Sequence, residues 1–209
     1  MIAIVDYDAG NLTSVAAAVE SLGFEAAVTS RADGIAAADR VIFPGVGAAG
    51  SAMQNLKRFG LEACLRQAVA AGKPFLGICL GFQILFEHSD EDGGADLLGV
   101  FPGRVVRFAD GMYEEGTGPL KVPHMGWNQA RFRGAHPVWQ GIPEGSEFYF
   151  VHSYHPQPEA AHVCSETTYG IRFASGVARG NVVAFQFHPE KSGRPGLQLL
   201  RNFLTWSPA

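Results

Sequence analysis

The chain has 209 residues, of which 47% are hydrophobic and 17% charged, and a formal net charge of −4. This fits one compact α/β domain or a small two-lobed one with a core that needs no staples, and the absence of a long basic run argues against nucleic acid as a partner. Cys64, Cys79 and Cys164 are odd in number and widely spaced, which argues against a disulfide framework and for a reducing compartment, and no CxxC, HExxH or calcium-loop pattern suggests a metal.

Met1 to Asp6 lacks the basic start and long apolar stretch of a signal peptide and reads as a buried strand over 2–7. No run is long enough to span a membrane, so a soluble cytoplasmic protein is expected. Gly10-Asn11 breaks the strand, and Leu12, Val15, Val19 and Leu22 then mark one helix face. Phe24 to Thr29 reads as a second strand, and Arg40 to Phe43 as a third that Pro44-Gly45 ends. Helices are expected around 50–58 and 61–71, separated by Gly60, before an apolar run into Cys79. This alternation predicts a parallel sheet covered on both faces, with sites beyond the carboxyl ends of the strands. Ser89 to Asp96 is acidic and glycine-bearing and reads as a surface loop. From 100 to 190 short β-like runs dominate, among them Arg104 to Phe108, Phe148 to Val151 and Val182 to Phe187. A last helix carries Leu197, Leu200, Phe203 and Leu204. No repeat or linker divides the chain, so 1–209 reads as a single domain.

Two segments carry chemistry. Gly77-Ile78-Cys79-Leu80-Gly81 sits where a buried strand gives way to helical spacing at Phe82, Leu85 and Phe86, the setting of a nucleophile elbow. The flanking glycines are expected to permit a sharp turn and substrate approach, and a helix N-terminus would favour thiolate over thiol. In Phe185-Gln186-Phe187-His188-Pro189-Glu190, an extended chain places His188 and Glu190 on the same side. A thiol-based acyl transfer needs a base and a group that orients the base, and Cys79, His188 and Glu190 supply those roles in order.

Pro44-Gly45-Val46-Gly47 ends a strand one βα unit before the elbow. The N–H groups of Val46 and Gly47, with that of Leu80, are candidates for an oxyanion hole. Gly45 to Gly50 also matches the dinucleotide fingerprint G-x-G-x-x-G. It does not follow the first strand, however, and the next strand ends at Ile78-Cys79 without an acidic residue for a ribose. A turn serving the cysteine explains the glycines better.

With Gly-Ile-Cys-Leu-Gly, Pro-Gly-Val-Gly and the late His-Pro-Glu together, the chain resembles the class I (triad) glutamine amidotransferases. Asp6 to Asn11, Pro123-His124-Met125-Gly126-Trp127-Asn128 and Phe148 to Tyr154 narrow the resemblance to the branch that serves histidine biosynthesis. It runs from residue 2 to the final helix. It implies an open, mostly parallel mixed sheet with helices on both faces, flavodoxin-like, and hydrolysis of glutamine through a γ-glutamyl thioester on Cys79 without a cofactor. Gln83 and the backbone around His152, Ser153 and Tyr154 would bind glutamine. The ammonia would pass to a separate (β/α)8-barrel cyclase chain in a heterodimer, and the 45–47 turn would gate the reaction until that partner holds its ligand. Asn11, Trp127, Tyr149 and Lys191 would lie at the subunit interface.

Plainer readings stand beside these. Asn11 is also suited to cap the first helix, Trp127 and Tyr149 to fill the core, and Lys191 to sit in solvent. His88, His124, His136, His152, His155 and His162 lack metal-like grouping and read as surface or satisfied polar residues. Cys64 and Cys164 read as structural. Two other functions compete: a glutaminase for another synthase, such as those for anthranilate or pyridoxal phosphate, and a non-catalytic binding module with Cys79 as a redox sensor. The 123–128 motif argues against the first, and the presence of His188 and Glu190 against the second.

Overall fold

The structure, a computed structural model, describes residues 1–208. In chain order the longer strands are β1 (Ile2–Val5), β2 (Ala26–Thr29), β3 (Arg40–Gly45), β4 (Phe75–Cys79), β5 (Gly103–Arg107), β6 (His124–Gln129), β7 (Glu147–His152), β8 (Tyr154–Pro158), β9 (Val163–Tyr169), β10 (Ile171–Arg179) and β11 (Val182–Phe185). The helices are α1 (Leu12–Ser21), α2 (Ala32–Ala37), α3 (Ala49–Arg58), α4 (Leu61–Ala70), α5 (Leu80–Gln83) and α6 (Gly193–Thr205). One sheet runs in the order Arg131–Phe132, β9, β10, β11, β4, β3, β1, β2. β2, β1, β3, β4 and β11 are parallel, and the other three strands join antiparallel. This is the mixed, mostly parallel sheet that the sequence predicts.

Period-two alternation places apolar side chains on both faces. Ala3, Val5, Val41, Phe43 and Phe75 pack against Leu56, Leu61 and Leu65 of α3 and α4. Ile2, Ile4, Ile42, Leu76 and Ile78 pack against Val15 and Val19 of α1 and Leu199, Leu200 and Phe203 of α6. Burying each large apolar side chain contributes about 1.5–3 kcal/mol, so these few strands hold both helix layers. The chain runs from β1 out to β2 and then back across to β3. The crevice that this reversal opens lies at the carboxyl ends of the strands, where ligands bind in such sheets. Among the described residues no helix is long and apolar enough to cross a membrane.

Three local expectations change. β3 does not stop at Phe43 but continues through Pro44 and Gly45, paired with Ile78 and Cys79. Pro44 is tolerated because the ladder to β1 has already ended at Ile42, so its missing N–H leaves no gap there. α2 is an element that the periodicity does not announce, because six residues with Ile35 alone fully buried show no apolar repeat. The 89–96 segment is more than a surface loop. Ser89 is buried and pairs with Val105 of β5.

Candidate active site

Cys79 ends β4 with φ 54° and ψ −109°, a region that non-glycine residues rarely adopt and that costs about 1–3 kcal/mol. The strain falls on the cysteine itself. The glycines on either side serve close packing instead of the turn: a Cβ on Gly81 would lie 1.8 Å from the Phe43 carbonyl oxygen, and one on Gly77 would lie 2.9 Å from Ala184 Cβ. That replaces the expected role of these glycines in turning and substrate access. The following helix, α5, has only 4 residues, so it carries little of the expected helix dipole. The cysteine sulfur meets the Val151 carbonyl at 3.9 Å and receives Gln186 Nε2 at 3.8 Å.

His188 and Glu190 follow the end of β11. The His188 Nδ1–H donates to Glu190 Oε1 at 2.7 Å, and Asn11 Nδ2 donates to the same oxygen at 2.7 Å. Asn11 is thus drawn to the carboxylate. It occupies the helix N-cap position in a left-handed conformation, but its side chain does not cap the helix. The backbone of His188 is held from two sides. Its N–H donates to the Tyr149 carbonyl at 2.9 Å, and its own carbonyl accepts Ser192 Oγ–H at 2.6 Å. Its Nε2 is buried without a hydrogen-bond partner among the described residues. Burial opposes charge on this ring, but the charge of the nearby Cys79 sulfur and the bond to Glu190 outweigh it and raise the His188 pKa.

A cavity of about 380 Å³ opens beside the sulfur, lined by Cys79, Leu80 and Gln83 on one side and His152, Ser153 and Tyr154 on another. Gln83 is fixed there. Its Nε2 donates to the Tyr154 carbonyl at 2.9 Å and to Gln186 Oε1 at 3.0 Å. Val46 and Gly47 line the mouth, but the Val46 N–H donates to the Ala9 carbonyl at 3.1 Å. The Val46 N–H is therefore engaged in this conformation and is not available to an oxyanion. The carbonyl of Ala9 competes for the N–H. Gly47, at φ 102°, carries the turn outward.

The interface candidates separate. Trp127 is 55% exposed, so it is not a core aromatic. It lies edge-on to the half-buried Tyr149 at 6.2 Å between centroids, and Lys191 Nζ sits 5.9 Å from the Tyr149 ring. Asn11 bonds the Glu190 carboxylate.

Gln186, Glu91, Ser192 and Tyr7 also belong to this region and were not singled out from sequence. Alternation along Phe185-Gln186-Phe187-His188 puts Gln186 on the same side as His188, and this was the available signal. Glu91 lines the cavity from the 89–96 segment and accepts the Ala49 N–H at 2.7 Å. Burial raises its pKa while that bond opposes the rise. Tyr7 Oη–H donates to the Pro44 carbonyl at 2.9 Å, tying the end of β3 to the segment that follows β1.

A family model described as "Glutamine amidotransferase class-I" matches residues 3–206. The chain is 53% identical to a protein of Aromatoleum aromaticum named imidazole glycerol phosphate synthase subunit HisH, covering 99% of both. It is 52% identical to the protein of the same name from Methylococcus capsulatus, covering 99% of this chain and 97% of that one. Among solved structures, a glutamine amidotransferase superposes with a TM-score of 0.71 at 22% identity over 98% of this chain and 97% of that one. A chain of PurLQS from Thermotoga maritima gives 0.72 at 19% over 97% and 96%. At those identities the structures speak to the fold.

Proposed function

The chain belongs to the class-I glutamine amidotransferases, and from that membership we propose that it is the glutaminase subunit of a cytoplasmic imidazole glycerol phosphate synthase, with Cys79, His188 and Glu190 as its catalytic triad. The identity of about half its residues to proteins of that name, over nearly their full length, supports the subunit assignment. The observation that carries the chemistry is the buried His188–Glu190 pair, locked by Asn11, next to a cysteine at a strained corner that opens onto a cavity.

In this reading the Cys79 sulfur attacks the γ-amide carbon of glutamine. His188 gives its Nε2 proton to the departing nitrogen, ammonia leaves, and a γ-glutamyl thioester remains. Water that loses its proton to the now neutral His188 then cleaves the thioester to glutamate and restores the sulfur. Glu190 fixes the ring, and Asn11 fixes Glu190. Gln83 and the Ser153 region bound the amino-acid end of the substrate, and the Glu91 carboxylate is suited to its α-ammonium. Leu80 N–H serves the oxyanion. Of the two turn N–H groups, that of Val46 serves only once it leaves the Ala9 carbonyl. One missing donor raises such a barrier by about 3 kcal/mol, so the isolated subunit is held slow. The Trp127–Tyr149–Lys191 patch docks a (β/α)8-barrel cyclase subunit, which receives the ammonia in a heterodimer.

Cys79→Ala tests the assignment. Glutamine-dependent synthesis by the complex should fall to background while ammonium-dependent synthesis by the cyclase persists. Loss of both, or failure of a glutamine-analogue electrophile to label wild-type Cys79 with the cyclase present, would overturn it.

A further inference from the structure

The residues behind the cavity wall form a hydrogen-bond chain whose direction is determined at both ends. On β6, His124 turns inward while Met125 and Trp127 are 63% and 55% exposed, and His124 pairs across the ladder with His152 of β7. The His124 ring stacks on Tyr169 at 4.0 Å and on Phe150 at 4.8 Å, and Phe108 and Phe173 flank His152. In this apolar setting burial lowers the His124 pKa to about 4. Burial, followed by the neighbouring His124, takes His152 well below its ordinary value. Both rings are neutral, so each has one donor and one acceptor nitrogen.

The outer end begins at Asn128. Its Oδ1 accepts the Gln129 N–H at 2.8 Å and its Nδ2 donates to the Thr168 carbonyl at 2.9 Å, so the amide has one orientation. Its Nδ2 therefore also donates to His124 Nε2 at 3.2 Å, which leaves the His124 proton on Nδ1. That proton is given to His152 Nε2 at 3.0 Å. The His152 proton then lies on Nδ1 and goes to the Tyr154 carbonyl at 2.8 Å. The inner end requires the same direction, because a carbonyl can only accept. The Tyr154 carbonyl is also the acceptor for Gln83, which contacts Gln186 and through it the Cys79 sulfur. The chain thus runs from the half-buried Asn128, next to the exposed Trp127, to the residues that bound the cavity.

Resting on the glutamine-site reading above, we propose that His124 and Asn128 are positioning residues. Through His152 they hold the Tyr154 carbonyl and Gln83 in the arrangement that receives glutamine. Neither residue touches the cavity, so their effect is on binding and not on thioester chemistry. An ordinary packing role for His124 would need ring shape but no particular tautomer.

The test uses the full chain together with its cyclase partner. Nitrogen-15 NMR of histidine-labelled protein should show His124 and His152 both neutral and protonated on Nδ1, the less common tautomer. Asn128→Leu should raise KM for glutamine roughly fivefold to tenfold, the effect of one or two lost hydrogen bonds, with kcat within about twofold of wild type. His124→Phe keeps the stacking on Tyr169 and Phe150 and should show the same split, which keeps the test open if the Asn128 variant folds poorly. An Nε2-protonated or doubly protonated His124, an unchanged KM in both variants, or matched losses in kcat and thermal stability without a KM change would each overturn the proposal. Failure of the wild-type complex to hydrolyse glutamine would instead count against the assigned function, and the tautomers would still be read independently.

Discussion

The cavity has two unlike sides. On one, Cys79 sits between Gly77 and Gly81, which pack against Ala184 and Phe43, with aromatic-packed His124 behind the wall that His152 helps to form. On the other, Val46 and Gly47 follow the end of β3, where Val46 is exposed and is tied to Ala9 by one backbone hydrogen bond. The fixed side holds Cys79 in a strained conformation because dense packing leaves it no alternative. The tethered side is the one that can rearrange, since a single net hydrogen bond is worth about 1 kcal/mol. In the proposed reaction, a site divided in this way would keep its reacting atoms in register while one movable element decides when the reaction proceeds.

The sharpest way to break this contrast is to add one methyl group to each side. Gly81→Ala drives a Cβ into the Phe43 carbonyl and should cost more than about 4 kcal/mol, or abolish folding, in urea unfolding. Gly47→Ala has nothing within 4 Å of the new Cβ and should cost only the backbone strain of a positive φ, about 1–2 kcal/mol. It is the smallest effect expected here. Equal losses at the two sites would mean that the turn is as rigidly packed as the corner.

Between these extremes lies an acid response of the fixed side. His124 and His152 have folded pKa values below that of the unfolded chain, which is about 6.5 for histidine. As pH falls through that range the unfolded chain takes up protons that the folded one refuses. Stability therefore drops from about pH 6.5 until His124 itself titrates at about 4. The His124 share is of the order of 3 kcal/mol. Unfolding midpoints measured at pH 7 and 4.5 should show the drop in wild type and a smaller one in His124→Phe. An identical drop in both would mean that other groups dominate acid lability.

Asn11→Ala comes next in size. It removes one of the two groups that hold Glu190, and a hydrogen bond to a charged group is worth about 1.5–3 kcal/mol. Glutamine hydrolysis by the complex should fall about tenfold or more in kcat while KM stays near wild type. An altered cyclase affinity with unchanged kcat would place Asn11 in docking and not in the triad.

Much of the fold was legible because parallel sheets leave a local record. Apolar runs bounded by turns mark β1, β3 and β4, and the 3.6-residue spacing of Leu12, Val15 and Val19 marks α1. α2 was not legible because its six residues show no repeat. Period-two spacing also put His188 and Glu190 on one side of the chain. The same rule applied to Gln186 and would have found it. The place of the 89–96 segment in the cavity wall was hidden for a different reason: an acidic, glycine-bearing stretch looks like solvent-facing loop until the fold carries Glu91 to the cavity.

By itself the sequence determined the sheet's parallel core, the cysteine corner, the late His-Glu pair and the family they belong to, because each is written in residues a few positions apart. The tertiary structure decided which partner each polar group takes. It sent Asn11, 179 residues away in the chain, to Glu190 and tied Val46 to Ala9. It also set the direction of the chain from Asn128 to Tyr154. Hydrogen bonds depend on distance and angle between atoms whose separation in sequence carries no record of either, so only the assembled molecule fixes them.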